Sequence, residues 1–175
     1  ANIQSLISRS PARASLMMDN FIAYLRQSLS ASRAQEGTVQ QEIDLLRHYL
    51  ELIKIRMGDR LQFAFDVDPT LGSAPMAPML LQPLVENAIK HGLEPKVEGG
   101  RVDVRVARER AAGGEQMRLT VRDNGLGFGE HADSAGTGVG LANLRERLNV
   151  LYDGRATLTV VDAQPGTEIV IHVPL

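Results

Sequence analysis

The spacing of apolar residues changes once along this chain, near Leu61, and the change divides what it can fold into. Before it, Ala14, Met18, Ile22, Leu25 and Leu29 recur at three- and four-residue steps. Val39, Ile43, Leu46, Leu50, Ile53 and Met57 do the same. That is the repeat of one helix face. Ser10-Pro11 predicts a helix start, with the hydroxyl as N-cap and proline in the first turn. Thr38-Val-Gln-Gln41 predicts another, a capping box in which Thr38 and Gln41 satisfy each other's free amides. Leu45, Tyr49 and Leu52 widen the second stripe, so that helix is expected to pack on more than one neighbour. With Ser30 to Gly37 as the turn, residues 1–57 read as a helical hairpin with a partner chain.

Beyond Leu61 the alternation is that of half-buried strands. It runs through Leu61–Val67, Val102–Val106, Arg118–Arg122, Ala156–Val161 and Glu168–Val173. Between the strands lie a helix ending at His91-Gly92, with Gly92 as its C-cap, and another from about Val139 to Tyr152. Ala111 to Glu115 reads as a hairpin turn. Five strands and two or three helices over about 115 residues predict an α/β two-layer sandwich, helices on one face of a sheet, across residues 58–175.

Composition narrows the partners. A net charge of -2 gives no global reason to expect nucleic acid or an anionic membrane. The absence of cysteine excludes disulfides and thiolate metal sites, and it fits a reducing, cytoplasmic setting. No apolar run approaches the roughly 20 residues of a membrane span. The first residues, Ala1-Asn-Ile-Gln-Ser-Leu-Ile7, carry neither an initiator Met nor a signal-peptide pattern, so a longer parent protein is expected.

Three segments carry the chemistry. In Pro83-Leu-Val-Glu-Asn-Ala-Ile-Lys-His-Gly92 a helical step groups Glu86, Asn87, Lys90 and His91 on one side, with Leu84, Val85, Ala88 and Ile89 on the other. An amide carbonyl such as that of Asn87 can ligate Mg²⁺, which takes hard oxygen donors shared with phosphate and water. Lys90 can neutralise phosphate. A merely solvated helix face is the alternative for this segment alone. Pro83 belongs near N1.

Asp123 ends a strand and opens Asp123-Asn-Gly125-Leu-Gly127-Phe128. A carboxylate there can accept a hydrogen bond from the exocyclic amine of adenine, and Gly125 and Gly127 let the backbone turn beneath a flat base. Asp-Asn-Gly is also an ordinary turn. Gly136-Thr137-Gly138-Val139-Gly140-Leu141 is a glycine-rich turn opening onto a helix, which makes an anion site. It lacks the Gly-Lys-Ser/Thr ending of a P-loop, and no strand leads straight into it as in a dinucleotide fold. Asn143, Arg145 and Arg147 follow within two turns, where a guanidinium can reach phosphate. Residues 129–136 are expected to form a short lid.

These segments resemble the N, G1 and G2 boxes of the GHKL superfamily. Within it, Gln82-Pro-Leu-Val-Glu-Asn-Ala-Ile-Lys-His-Gly92 and Asn143-Leu-Arg-Glu-Arg-Leu148 are similar to LytS-type sensor histidine kinases. The resemblance implies the Bergerat ATP-binding fold, with a mixed, mostly antiparallel sheet. It implies Mg²⁺ on Asn87, adenine on Asp123, Lys90 and His91 near the phosphates, and Gly136 to Gly140 at the lid hinge. Gly166-Thr167 resembles the family's last box, where the threonine supports adenine binding. The expected activity is transfer of the ATP γ-phosphoryl group to a histidine for relay to a response regulator. The helical region is expected to form a homodimer, in a parent protein attached to the membrane by a sensor region.

Two departures from the pattern matter. The position of the water-activating glutamate of ATP-hydrolysing relatives is Pro83, which argues against a dedicated ATPase. Glu86 is the nearest carboxylate, as base or orienting group. The family's acceptor histidine lies just before residues much like Ala1 to Ile7, so the chain is expected to start after its own acceptor and not to phosphorylate itself. His48, His131 and His172 are expected to be structural or solvated. A serine kinase of the anti-sigma type shares the ATP boxes but normally lacks the long hairpin. A nucleotide-sensing module without transfer is the non-enzymatic alternative.

Overall fold

The computed structural model describes residues 3–34, 36–111, 114–127 and 137–175. Helices α1 (Ile3–Arg9), α2 (Pro11–Arg33) and α3 (Val39–Met57) come first. Between α2 and α3 lies the two-residue strand β1 (Gly37–Thr38), which pairs with β3 (Pro75–Met76). The main sheet contains β2 (Leu61–Val67), β4 (Gly100–Ala111), β5 (Gly114–Asp123), β6 (Thr157–Asp162) and β7 (Thr167–Pro174). Its order is β2-β4-β5-β7-β6, parallel only between β2 and β4. Helix α4 (Gln82–Asn87) continues into a π-helical turn (Ala88–Leu93), and α5 is Thr137–Leu151. The expected two-layer sandwich with a hairpin in front is what forms.

Each of the five alternating runs is a strand, because each has one apolar face to bury. Val102, Val104 and Val106 of β4 lie level with Asp123, Val121 and Leu119 of β5, and Ile169 and Ile171 of β7 continue the face. Leu84, Val85 and Ile89 from α4 and its extension, and Leu144 and Leu148 from α5, cover it. The hairpin of β4 and β5 closes at Ala111↔Gly114, with residues 112–113 outside those described.

Helix α3 packs on two neighbours, as its wide stripe predicts. Val39, Ile43, Leu46, Leu50 and Ile53 join the sheet's own core, while Leu52 and Ile55 cover a small cluster of Leu6, Ala14 and Met17. The start of α3 is also stitched to the sheet domain, through Val39 N–H to Ala74 O and Gln40 N–H to Gly72 O. On α2 the outcome is opposite. Met18, Phe21, Ile22, Leu25 and Leu29 stay exposed.

Local expectations divide. Thr38 and Gln41 form the capping box. Ser10 precedes α2, but its side chain makes no capping bond, and Pro11 alone marks the start. Ser30 to Arg33 extend α2 instead of turning. Gly92 lies inside the π-helical turn and is not a C-cap; the helix runs on until Glu94 N–H bonds Ile89 O. The reason lies in what Gly92 touches.

Candidate nucleotide site

The candidate site is assembled where the ends of β5 and β7 meet the π-helical turn that continues α4. Asp123 and Thr167 are register partners, the last residue of one strand beside the first of the next, and both are buried polar residues. An Oδ1 of Asp123 accepts the Gly125 N–H at 2.8 Å. Burial pushes the Asp123 carboxyl above the usual carboxylate range, against the pull of the Gly125 and Thr167 amides and the Lys96 ammonium.

Glycine lets the three elements touch backbone to backbone. A Cβ on Gly92 would stand 2.9 Å from Asp123 Oδ1, and one on Gly125 would stand 2.5 Å from the Gly92 main chain. Leu126 N–H then donates to Gly92 O at 3.2 Å. Gly166 has φ +94, and a Cβ there would overlap Asp123 O. Gly127, with φ +74, lies against Gly166. The Gly125 turn and Gly92 therefore work as a pair.

Asn87, Lys90 and His91 follow one another from the last residue of α4 into the π-helical turn. Asn87 and His91 are half-buried and Lys90 is exposed. Among the described residues their side chains make no hydrogen bond or ion pair. A π-helical turn is uncommon and tends to occur at functional positions, since it re-aims side chains. Leu84, Val85, Ala88, Ile89 and Leu93 bury the opposite side.

Glu86 faces elsewhere. Its Oε1 accepts from Gln82 Nε2 at 2.6 Å and from the Tyr24 hydroxyl at 3.4 Å, so it meets α2. Burial and the Glu86 carboxylate hold the Tyr24 phenol above its ordinary range, which keeps it a donor.

Thr137, Gly138 and Val139 lie in the first turn of α5, whose start is two residues earlier than expected. Gly136 and His131 fall outside the described residues. Gly140 is half-buried with no described atom within 4 Å of where a Cβ would be, and Leu141 packs into the core. Asn143 and Arg145 are exposed. Arg147 does not reach towards phosphate: it donates to Pro78 O at 2.6 Å and Met79 O at 3.1 Å, at the foot of α4. His172 is tied to Thr157 and Glu109 on the outer sheet face, and His48 is half-buried on α3.

Sequence reasoning missed Glu42. It is buried on α3, and its carboxylate accepts from Met79 N at 2.7 Å, Leu81 N at 2.8 Å and Gln82 N at 3.1 Å. The signal that could have found it is its spacing: Glu42 stands three, four and seven residues before Leu45, Leu46 and Tyr49, on the face that α3 buries.

A two-layer domain with this arrangement of Asp123, Thr167 and glycines defines a class. Residues 76–175 match the family of histidine kinase-, DNA gyrase B- and HSP90-like ATPases, to which the chain belongs. Residues 1–61 match the histidine kinase family model. It is 31% identical, over 98% of its length, to the sensor histidine kinase YpdA of Escherichia coli K12. It is 30% identical, again over 98%, to the sensor protein LytS of Staphylococcus haemolyticus. The chain spans about 30% of the length of each of these relatives. In fold it is similar to the histidine kinase domain of the Erythrobacter litoralis blue-light-activated kinase EL346. The TM-score is 0.54 at 22% identity, covering 98% of this chain and 80% of that one.

Proposed function

We propose that this chain is the ATP-binding catalytic region of a two-component sensor histidine kinase. The observation that carries the reading is the pairing of buried Asp123 with Thr167 against the Gly92–Gly125 contact, with Asn87 on the same helix five residues before Gly92 and its side chain without a hydrogen bond among the described residues. In it Asp123 accepts the adenine amine, with Thr167 in support, and Gly125 and Gly127 shape the turn under the base. Asn87 offers its amide oxygen to Mg²⁺ shared with the triphosphate, which suits a cation that keeps phosphate and water ligands. Among the described residues no group of three or more His, Cys, Asp or Glu could hold a metal alone, so an amide-plus-phosphate site fits the donors present. Lys90, His91 and the amides from Gly136 to Leu141 meet the phosphates.

The reaction breaks the bond between the γ-phosphorus and the bridging oxygen and forms a phosphorus–nitrogen bond to a histidine imidazole. ADP leaves, and the other ring nitrogen, which carries the N–H, gives up its proton. The phosphoryl group then passes to an aspartate of a response regulator. The chain's part is positioning and charge neutralisation, the usual demands of phosphoryl transfer. Glu86, turned to Tyr24, suits an orienting role better than that of base. Residues 1–57 form the dimerisation side and 58–175 the catalytic side, and the bare α2 stripe is the surface a second copy would cover. The acceptor histidine and a membrane-attached sensor would come from the parent protein, with this region on the cytoplasmic side. Among the described residues no helix is long and apolar enough to cross a membrane.

The test extends the protein upstream to include the acceptor segment and incubates it with γ-labelled ATP and Mg²⁺. Acid-labile, base-stable phosphate on the protein that disappears in Asn87→Ala is the expected result. ATP binding with no protein phosphate would favour a nucleotide-sensing module.

A further inference from the structure

The nucleotide-bearing helix is gripped at both ends by one other helix. At its start, the backbone N–H groups of Met79, Leu81 and Gln82 converge on the carboxylate of Glu42, near the beginning of α3. Beyond its end, Arg60, just past the other end of α3, donates to Lys96 O at 2.6 Å and Glu94 O at 3.3 Å. Arg56 pairs with Glu94 beside it. Between the two grips Leu46, Leu50 and Ile53 share a core with Leu84, Val85 and Ile89. The grip reaches the base-binding turn as well, since Lys96 Nζ donates to Asn124 O at 2.9 Å.

The first grip holds a conformation the loop would not keep unaided. Met79 has φ +57, a left-handed geometry unfavourable for a side chain of its size. Glu42 takes the amides of this loop while Arg147 of α5 takes its carbonyls at Pro78 and Met79. The loop is thus fixed between the helical hairpin on one side and the helix that follows the G2 glycines on the other. A carboxylate at the first turn of a helix also opposes the helix dipole favourably.

We propose that α3 acts as a splint for the nucleotide helix, with Glu42 and Arg60 as its positioning residues, so that nucleotide affinity follows the seating of α3 against α4. The inference rests on the nucleotide-site reading above. Neither residue touches nucleotide in this scheme. They hold Asn87, Lys90 and the Gly92–Gly125 contact in the geometry that binding requires, and the ordering is then complete before the ligand arrives. A shift of α3 reaches the site through both grips together.

The test is titration of the 175-residue protein with Mg²⁺ and a fluorescent ATP analogue, alongside thermal unfolding of each variant. Glu42→Ala is expected to weaken binding about tenfold, within the usual range of coupling between separate sites. Glu42→Gln, whose remaining oxygen can still accept from Leu81 and Gln82, restores most of the affinity. Arg60→Ala, at an exposed position that does not threaten folding, weakens binding about fivefold, at the low end of that range, and Arg60→Lys recovers part of it. Unchanged affinity in Arg60→Ala, or a lower melting temperature with unchanged affinity in Glu42→Ala, overturns the splint. If Glu42→Ala does not fold, the Arg60 pair decides. Wild-type protein that fails to bind, or Asp123→Ala that binds normally, overturns the nucleotide reading and the splint with it.

Discussion

Helices α2 and α3 are neighbours in one hairpin with similar apolar periodicity, yet they end in opposite environments. The stripe of α3 is consumed by the sheet domain, with Leu46 and Leu50 fully buried, whereas Leu25 and Leu29 of α2 remain 41% and 57% exposed. Periodicity reports that a helix has an apolar face and says nothing of what covers it. Here α3 has a layer of side chains opposite it, whereas α2 packs on α1 and α3 and touches α4 through Tyr24. Helix α3 is packed as part of the sheet domain's core, whereas α2 keeps its apolar face exposed.

The largest test of this contrast lies in the core itself. Gly166→Ala would drive a Cβ into Asp123 O at a positive φ, and a loss of about 4 kcal/mol or more, enough to unfold a marginal domain, is expected by urea denaturation. A loss under 1 kcal/mol would show that the backbone contact is loose.

Between the two helices, Leu46→Ala should lower stability by about 3 kcal/mol, as large-to-small core changes do. Leu25→Ala should change it by less than about 0.5 kcal/mol in the monomer, as an exposed site would. The Leu25 variant should instead weaken self-association in analytical ultracentrifugation. Equal effects of the two changes on unfolding would erase the distinction.

Asp123→Ala should abolish ATP binding by calorimetry while costing no more than about 2 kcal/mol, since it strips two amides of their acceptor. Its pH dependence has a definite sign. The folded carboxyl is raised, so the folded state holds its proton longer than the unfolded chain does. Stability attributable to this group is greatest below the ordinary aspartate range and falls as pH rises from there through the raised value. Asp123→Asn should flatten that limb, and an unchanged pH profile would contradict the assignment.

Gly140→Ala should have the smallest effect on folding. No described atom lies within 4 Å of the added carbon, so a gain of up to about 1 kcal/mol is expected from helix propensity. Affinity for ATP should nonetheless drop if the glycine serves ligand approach. Unchanged binding would mean that Gly140 is a bystander.

Much of the fold was legible because it depends on neighbours in sequence. The five strands followed from alternation, and the Thr38–Gln41 box from a three-residue spacing. Local propensity placed a cap at Ser10, a turn at Ser30 to Arg33 and a helix end at Gly92, and none of the three forms. Gly92 is the clearest case: its missing side chain ends no helix but makes room for the Asp123 carboxylate and the Gly125 turn. In the site, Asp123, Asn87 and the glycines were visible as types in a pattern. Glu42 and Arg147 were not, because their partners are main-chain groups 37 to 40 and 68 to 69 residues away.

By itself, then, the sequence determined the kinds of element, their order and the residue types able to meet a nucleotide. Those follow from periodicity and side-chain chemistry, which act over a turn or a strand. Only the packed molecule shows which apolar face found cover, that Arg147 serves the foot of α4, and that Glu42, Arg56 and Arg60 hold α4 and its extension at both ends. Such choices turn on the desolvation of distant groups brought together, and a buried carboxylate like Glu42 is tolerable only where three amides converge to replace water.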